Sequence, residues 1–446
     1  MSQLAPVAQD ELESLTRRIL DSARAQGATA AETAVSASAG LSVNVRLGEV
    51  ETIEYQRDRS LSLTCYRGQS HGSASTADFS DYAIEQTVAK ACSIAGFTAE
   101  DPAAGLADKS RMATELPDLS LYHPWGIDAN DAIELASECE SSARDFDARI
   151  QNSEGATVSS FTGTRVYGNS HGFVGGFRTS SHSISCAVLA SDANGAMERD
   201  YWYSSKRAAE DLDAPSVVGE EASRRAVARL GARKLSTRTA KVLFPARLAR
   251  GLIGHCLGAL SGGAQYRKAS FLLDAKGQQV FPSFLSIREE PHIEKAFGSV
   301  PMDGEGVATY ARDLIADGVV QDFILSSYSA RRLGLETTAN AGGIQNMVVT
   351  AGSADHAELI RDMGSGLYVT ELIGQGVNAI TGDYSRGAAG FWVENGEIAY
   401  PVHEITIAGN LIDMYQKLIA IGSDVDRNSK VHCASLLLDE LTIAGN

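Results

Sequence analysis

The chain has 446 residues, 44% hydrophobic and 21% charged, with 42 glycines and 10 prolines, an ordinary globular composition in a chain too long for one core. A formal net charge of −17 excludes a sequence-general nucleic-acid surface, which needs clustered Lys and Arg against phosphates; the short pairs Arg17-Arg18, Arg224-Arg225 and Arg331-Arg332 read as solvated faces. No uncharged apolar run reaches the roughly 18 residues of a membrane span, so none is expected.

The first predicted element is an amphipathic helix over residues 11–26, with Leu12, Leu15, Ile19 and Ala23 on one face and Gly27 as its stop. Residues 41–47 alternate through Leu41, Val43, Val45 and Leu47; a turn at Gly48 follows, then strands near 50–56 and 60–66 and a turn at Arg67-Gly68-Gln69. A second helix is predicted over 80–95, with Ser80 as N-cap and Gly96 as stop. The order then recurs: a helix over 128–145, strands near 148–152, 156–160, 163–167, 172–178 and 182–190, and a helix over 215–233 with Pro215 in its first turn. The turns at 67–72 and 168–172 are also alike, which suggests two related helix–meander–helix halves.

After residue 236 the texture changes. A short strand, Val242-Leu243-Phe244-Pro245, precedes an apolar helix over 246–261. Many short strands with glycine turns follow, and helices are expected over 354–363 and 409–420. Asn395-Gly396 between two strands signals a type I′ hairpin. The expected fold class is α+β. An N-terminal domain of helices and antiparallel meanders (1–235) leads to a β-rich, barrel-like domain (236–446) around one buried helix.

The opening MSQLAPVAQDELESL has no basic start and no long apolar run. Cys65, Cys92, Cys139, Cys186, Cys256 and Cys433 are widely spaced with no C-x-x-C pair, which argues against a disulfide framework. A cytoplasmic protein is the expectation. No G-x-S-x-G elbow, G-x-x-x-x-G-K-[ST] loop or helix-opening G-x-G-x-x-G occurs, so serine hydrolysis and phosphate binding have no support. The remaining histidines, His71, His123, His171, His182, His292, His356 and His403, show no helical ligand spacing and read as surface or loop residues.

The segment 246–263 reads ARLARGLIGHCLGALSGG, and YRKASFLLDAKGQQVFP, DGEGVATYARDLIADGV and SARRLG follow in that order. Together they resemble the C-terminal half of the TldD/PmbA family of bacterial metallopeptidases. The family's catalytic branch carries His-Glu-x-x-x-His on this helix. Here the run is His255-Cys256-Leu257-Gly258-Ala259-Leu260, with Cys256 at the Glu position and Leu260 at the second His position. That pattern resembles the PmbA (TldE) branch, the partner subunit without the zinc motif. The catalytic branch's third ligand is a C-terminal cysteine, and Cys433 lies in the matching segment. A zinc peptidase needs about three protein ligands and a carboxylate to take a proton from water. The degenerate positions are therefore His255, Cys256, Leu260 and Cys433, with no catalytic residue and no metal expected on this chain.

By the same resemblance, Tyr266, Arg267 and Lys268 follow the metal helix closely and are candidates for the substrate cleft, as are Asn340, Gly342 and Gly343. The implied role is to complete a peptide chamber with a TldD-type subunit that carries the zinc. A homodimer through the same surface is the counterpart for the isolated chain, with no nucleic acid and no membrane as partners. Two alternatives stay open. One is a metalloprotease active alone, with His255, Cys256 and Cys433 as ligands and His432 as a weaker fourth. The other is a non-proteolytic modulator of a DNA-gyrase toxin/antitoxin system.

Overall fold

A computed structural model describes residues 7–445, so the first six residues of the opening segment lie outside the described residues. Its N-terminal part runs α1 (Gln9–Ala25), β1 (Ala30–Arg46), β2 (Glu49–Arg67), β3 (Ser70–Thr76), α2 (Asp81–Phe97), α3 (Ala129–Asp145), β4 (Ile150–Asn169), β5 (Val174–Ser191), β6 (Met197–Lys206) and α4 (Pro215–Ala228). The six strands make one antiparallel sheet in the order β3-β2-β1-β4-β5-β6. The order helix, three strands, helix occurs twice, and the halves join where β1 pairs with β4.

All four helices pack on the same face. Leu12, Ile19 and Val88 meet Val35 and Leu63 under one half, and Ala136, Val218 and Ala222 meet Leu41, Val43 and Ile184 under the other. Strands β1 and β5 bury alternate residues on that face, as a half-covered sheet requires, whereas residues 49–60 of β2 are exposed throughout. The short strands expected between 148 and 178 merge instead into one strand of 20 residues, β4, and the start of β5. Gly155 lies in the first of the expected breaks: it sits at φ +100° beside a register shift, where a glycine marks a bulge rather than a turn. The two similar turns are not equivalent, since one joins the second and third strands of its half and the other the first and second. Their likeness is local turn chemistry.

The C-terminal part runs β7 (Arg238–Phe244), α5 (Ala246–Ala259), α6 (Gly262–Tyr266), β8 (Ile287–Glu289), β9 (Arg312–Ala316), β10 (Val319–Val320), α7 (Ser327–Leu333), β11 (Met347–Val349), α8 (His356–Met363), β12 (Gly366–Ile373), β13 (Asp383–Glu394), β14 (Glu397–Asn410), α9 (Leu411–Gln416), β15 (Leu418–Ile421), β16 (Val431–His432) and β17 (Leu436–Ala444). Strands β14-β13-β12-β7-β17 close into a five-stranded barrel because β17 also pairs back onto β14. β15 flanks β17, and β10-β9-β8-β11-β16 form a second sheet. Asn395 and Gly396, at φ +53° and +76°, make the type I′ turn between β13 and β14. The expected helix over 409–420 is shorter, because residues from Leu418 pair with β17.

Apolar residues of α5, among them Ile253, Cys256, Leu257 and Leu260, share one core with Phe244, Phe281, Tyr415 and Cys433. His182 is not a surface residue: it is fully buried and held between Ser160 Oγ at 3.0 Å and the His123 carbonyl at 2.8 Å.

Candidate functional site

Helix α5 buries Ala249, Leu252, Ile253, Cys256, Leu257 and Ala259. Gly251, Gly254, His255 and Gly258 share its other face by their three- and four-residue spacing. A Cβ added to any of these three glycines would meet nothing within 4 Å. The face is therefore bare backbone carrying one half-buried side chain, His255.

Strand β13 supplies what lies beside it. The Tyr384 ring stands edge-on to His255 with centroids 6.2 Å apart. Tyr384 is 1% exposed, and its hydroxyl has no hydrogen-bond partner among the described residues. Arg386 shares the Tyr384 side of the strand. Its Nε is likewise buried without a partner, while Nη2 donates to the Leu372 carbonyl at 3.4 Å. The guanidinium lies beside the Tyr384 hydroxyl without an aligned hydrogen bond to it, and no carboxylate pairs with it among the described residues. Burial, and then the Arg386 charge, hold His255 below the ordinary imidazole value. Burial pushes the Tyr384 phenol up to about 12, against the pull of Arg386. At neutral pH the cluster is thus two neutral groups and one guanidinium.

Of the positions expected to be degenerate metal positions, only His255 lies on this face, and Cys256, Leu260 and Cys433 face elsewhere. Cys256 and Leu260 are each 0% exposed, in the core rather than on the open face. Burial pushes the Cys256 thiol up to about 12. Cys433 is equally buried and donates to the Ala434 carbonyl at 3.2 Å; burial, with Asp424 and Asp426, raises its thiol too. His432 is 3% exposed. No three His, Cys, Asp or Glu side chains among the described residues come together as a metal set. A zinc ion implied by the catalytic branch does not fit these residues: one imidazole faces outward, the thiols are held protonated by burial, and leucine stands at a ligand position.

The cleft candidates separate. Tyr266 meets Tyr328 edge-on at 5.9 Å and accepts a hydrogen bond from Arg267 at 3.0 Å, and Arg267 and Lys268 are exposed. Asn340 is not at a surface. It is 4% exposed, donating to Glu289 Oε1 at 2.8 Å and accepting from Arg312 at 2.9 Å, so its amide is consumed by a buried network. Gly342 and Gly343, at φ +91° and +108°, are open, and Gly342 lines a cavity of about 300 Å³ with Glu32, Tyr167 and Glu305. Sequence reasoning passed over Tyr384 and Arg386. Their i, i+2 spacing places both on one strand face, but only closure of the barrel brings that face to α5.

Three family models cover most of the chain: PmbA/TldA metallopeptidase domain 1 matches residues 31–95, the central domain 122–230 and the C-terminal domain 237–445. The metalloprotease PmbA of Escherichia coli O157:H7 is 50% identical over 415 residues, 93% of this chain and 92% of that protein. The crystal structure of a candidate modulator of DNA gyrase from Bacteroides thetaiotaomicron matches with a TM-score of 0.93 at 29% identity, over 98% of this chain and 99% of that one. TldE from Thermococcus kodakarensis, at 18% identity, shares the fold with a TM-score of 0.82 over 97% of this chain and 100% of that one.

Proposed function

Because this chain belongs to the PmbA/TldD metallopeptidase family, we propose that it is the non-catalytic subunit of a two-chain cytoplasmic zinc peptidase. In this role it completes a chamber for unfolded or short peptides, and a TldD-type partner holds the zinc. One observation carries the reading. The two positions that would supply the water-activating carboxylate and the second zinc ligand are Cys256 and Leu260, both fully buried in the core. Without a base and a ligand set there is no route to a metal-bound nucleophile on this chain. Compartment is part of the proposal; no helix among the described residues is long and apolar enough to cross a membrane.

The test is zinc content per chain, measured by elemental mass spectrometry on protein purified alone without added metal, followed by peptide cleavage with and without a TldD-type subunit. Zinc near zero, no cleavage alone and cleavage in the mixture are expected. Zinc near one per chain, or cleavage by the chain alone, would overturn the reading and make His255, Cys256 and Cys433 the ligands to substitute.

A further inference from the structure

The open face of α5 and the orphaned polar atoms beside it point to a ligand of defined chemistry. Arg386 offers only donors, the Tyr384 hydroxyl offers one, and the imidazole N–H of His255 offers another. Two of the polar atoms, Tyr384 Oη and Arg386 Nε, are buried and unpartnered, a state that is unfavourable when nothing accepts from it. The one carboxylate next to Tyr384 in sequence, Asp383, is engaged by Thr381 and Asn410. The cluster is therefore a set of donors with a net positive charge, suited to a carboxylate through charge-assisted hydrogen bonds.

The glycines define the rest of the ligand. From Gly251 to Gly258 the bare face spans about 10 Å of helix at 1.5 Å per residue. Roughly three residues of extended chain cover that length at about 3.3 Å each, and the missing side chains let another backbone approach closely. We infer that His255, Tyr384 and Arg386 hold the C-terminal carboxylate of a peptide whose last residues lie along Gly251, Gly254 and Gly258. This deepens the partner-subunit reading, on which the choice of a peptide rests. It gives this chain a carboxylate-holding site on the helix where the catalytic branch holds zinc.

The test uses the full chain alone, without partner or metal. Binding of tetra-alanine with a free C-terminus, its C-terminal amide, and acetate is followed by saturation-transfer NMR on the ligand methyls. The free acid is expected to bind, and the amide and acetate each at least tenfold more weakly. Arg386→Gln is expected to weaken the free acid at least tenfold and Tyr384→Phe severalfold. A Cβ at Gly254 meets no neighbour, so Gly254→Ala should not lower the thermal midpoint yet should weaken the free acid severalfold by standing where the peptide backbone lies. Equal binding of acid and amide, equal binding of acetate, no binding to the unaltered chain, or an Arg386→Gln variant that binds normally would each overturn the inference. The subunit reading fails separately: a chain that binds the free acid but supports no cleavage in the mixture keeps the site and loses the role.

Discussion

At the scale of single residues, buried charge decides what can be changed. Glu289 and Arg312, 1% and 8% exposed at their side chains, pair at 2.9 Å, and Glu289 Oε1 also accepts from Asn340 and from the Gln345 backbone N–H. Removing the cation alone strands a buried carboxylate, which costs about 3–5 kcal/mol, whereas replacing both partners by apolar groups is far milder. Arg312→Met should therefore lower the urea midpoint sharply and Arg312→Met with Glu289→Met should recover most of it; equal losses would refute the pairing argument. Asp303 behaves differently. Burial, and then Glu305, push its carboxyl from 3.8 to about 7, although it accepts backbone N–H groups of Glu305, Val307 and Ala341. An acid whose folded value exceeds its unfolded one holds its proton more tightly when folded. Its contribution is complete below about 4 and declines as pH rises to about 7. Compared with Asp303→Asn, the native chain should lose relative stability across that window and hold a constant difference above it. A flat difference from pH 4 to 8 would show that Asp303 ionises normally.

At the scale of elements, the long helices α1 to α5 were legible in the sequence because the 3.6-residue period, Ser80 as N-cap and Pro215 at the first turn are local signals, whereas the short α6 and α7 carry too few turns to show a period. The Asn395-Gly396 turn was legible for the same reason. Strand lengths were not, because a glycine in a bulge and a glycine in a turn look alike until the partner strand is known. The glycines of α5 and β13 make the distinction measurable. A Cβ at Gly390 would sit 2.0 Å from the Tyr368 carbonyl oxygen, where β13 shifts register against β14. Gly390→Ala must push two barrel strands apart, a cost of about 1–3 kcal/mol or more by overpacking. Gly254→Ala meets nothing and removes a helix penalty, a gain of about 0.5–1 kcal/mol. Opposite shifts in thermal midpoint are expected from the same substitution; a loss at Gly254 would mean that its face is already covered. The candidate site shows the same limit. His255 stood out as the polar centre of an apolar helix, whereas Tyr384 and Arg386 reach it only through barrel closure, which no local pattern encodes.

At the scale of the whole molecule, the segment between α2 and α3 ties the two parts together. Ala113 donates to the Gly306 carbonyl at 2.9 Å, Ala308 to the Arg111 carbonyl at 3.0 Å and Lys295 to the Leu119 carbonyl at 3.0 Å. Its anchor is Arg331, which the sequence reading placed on a solvated face. Its guanidinium donates to the carbonyls of Ala103 and Gly105 at 3.1 and 2.9 Å and to that of Leu106, with Tyr328 donating to Asp101 at 2.8 Å alongside. A pair of arginines in sequence carries no sign of this, because backbone carbonyls are invisible to charge patterning. The segment's partners Gly306 and Ala308 follow Glu305, which lines a cavity with Glu32 and Gly342, so loosening the segment would alter the joint between the sheet and the C-terminal loops. Hydrogen bonds to a charged group contribute about 1.5–3 kcal/mol, which is about tenfold or more in the population of a locally opened strap. Arg331→Ala should therefore speed thermolysin cleavage within residues 98–116 by at least about tenfold under native conditions, where cleavage follows the open population. An unchanged rate would mean that the strap is held by its backbone pairing with residues 306–308 alone. Faster cutting spread over the whole chain would mean that Arg331 stabilises the fold globally and that the strap is not a separate unit.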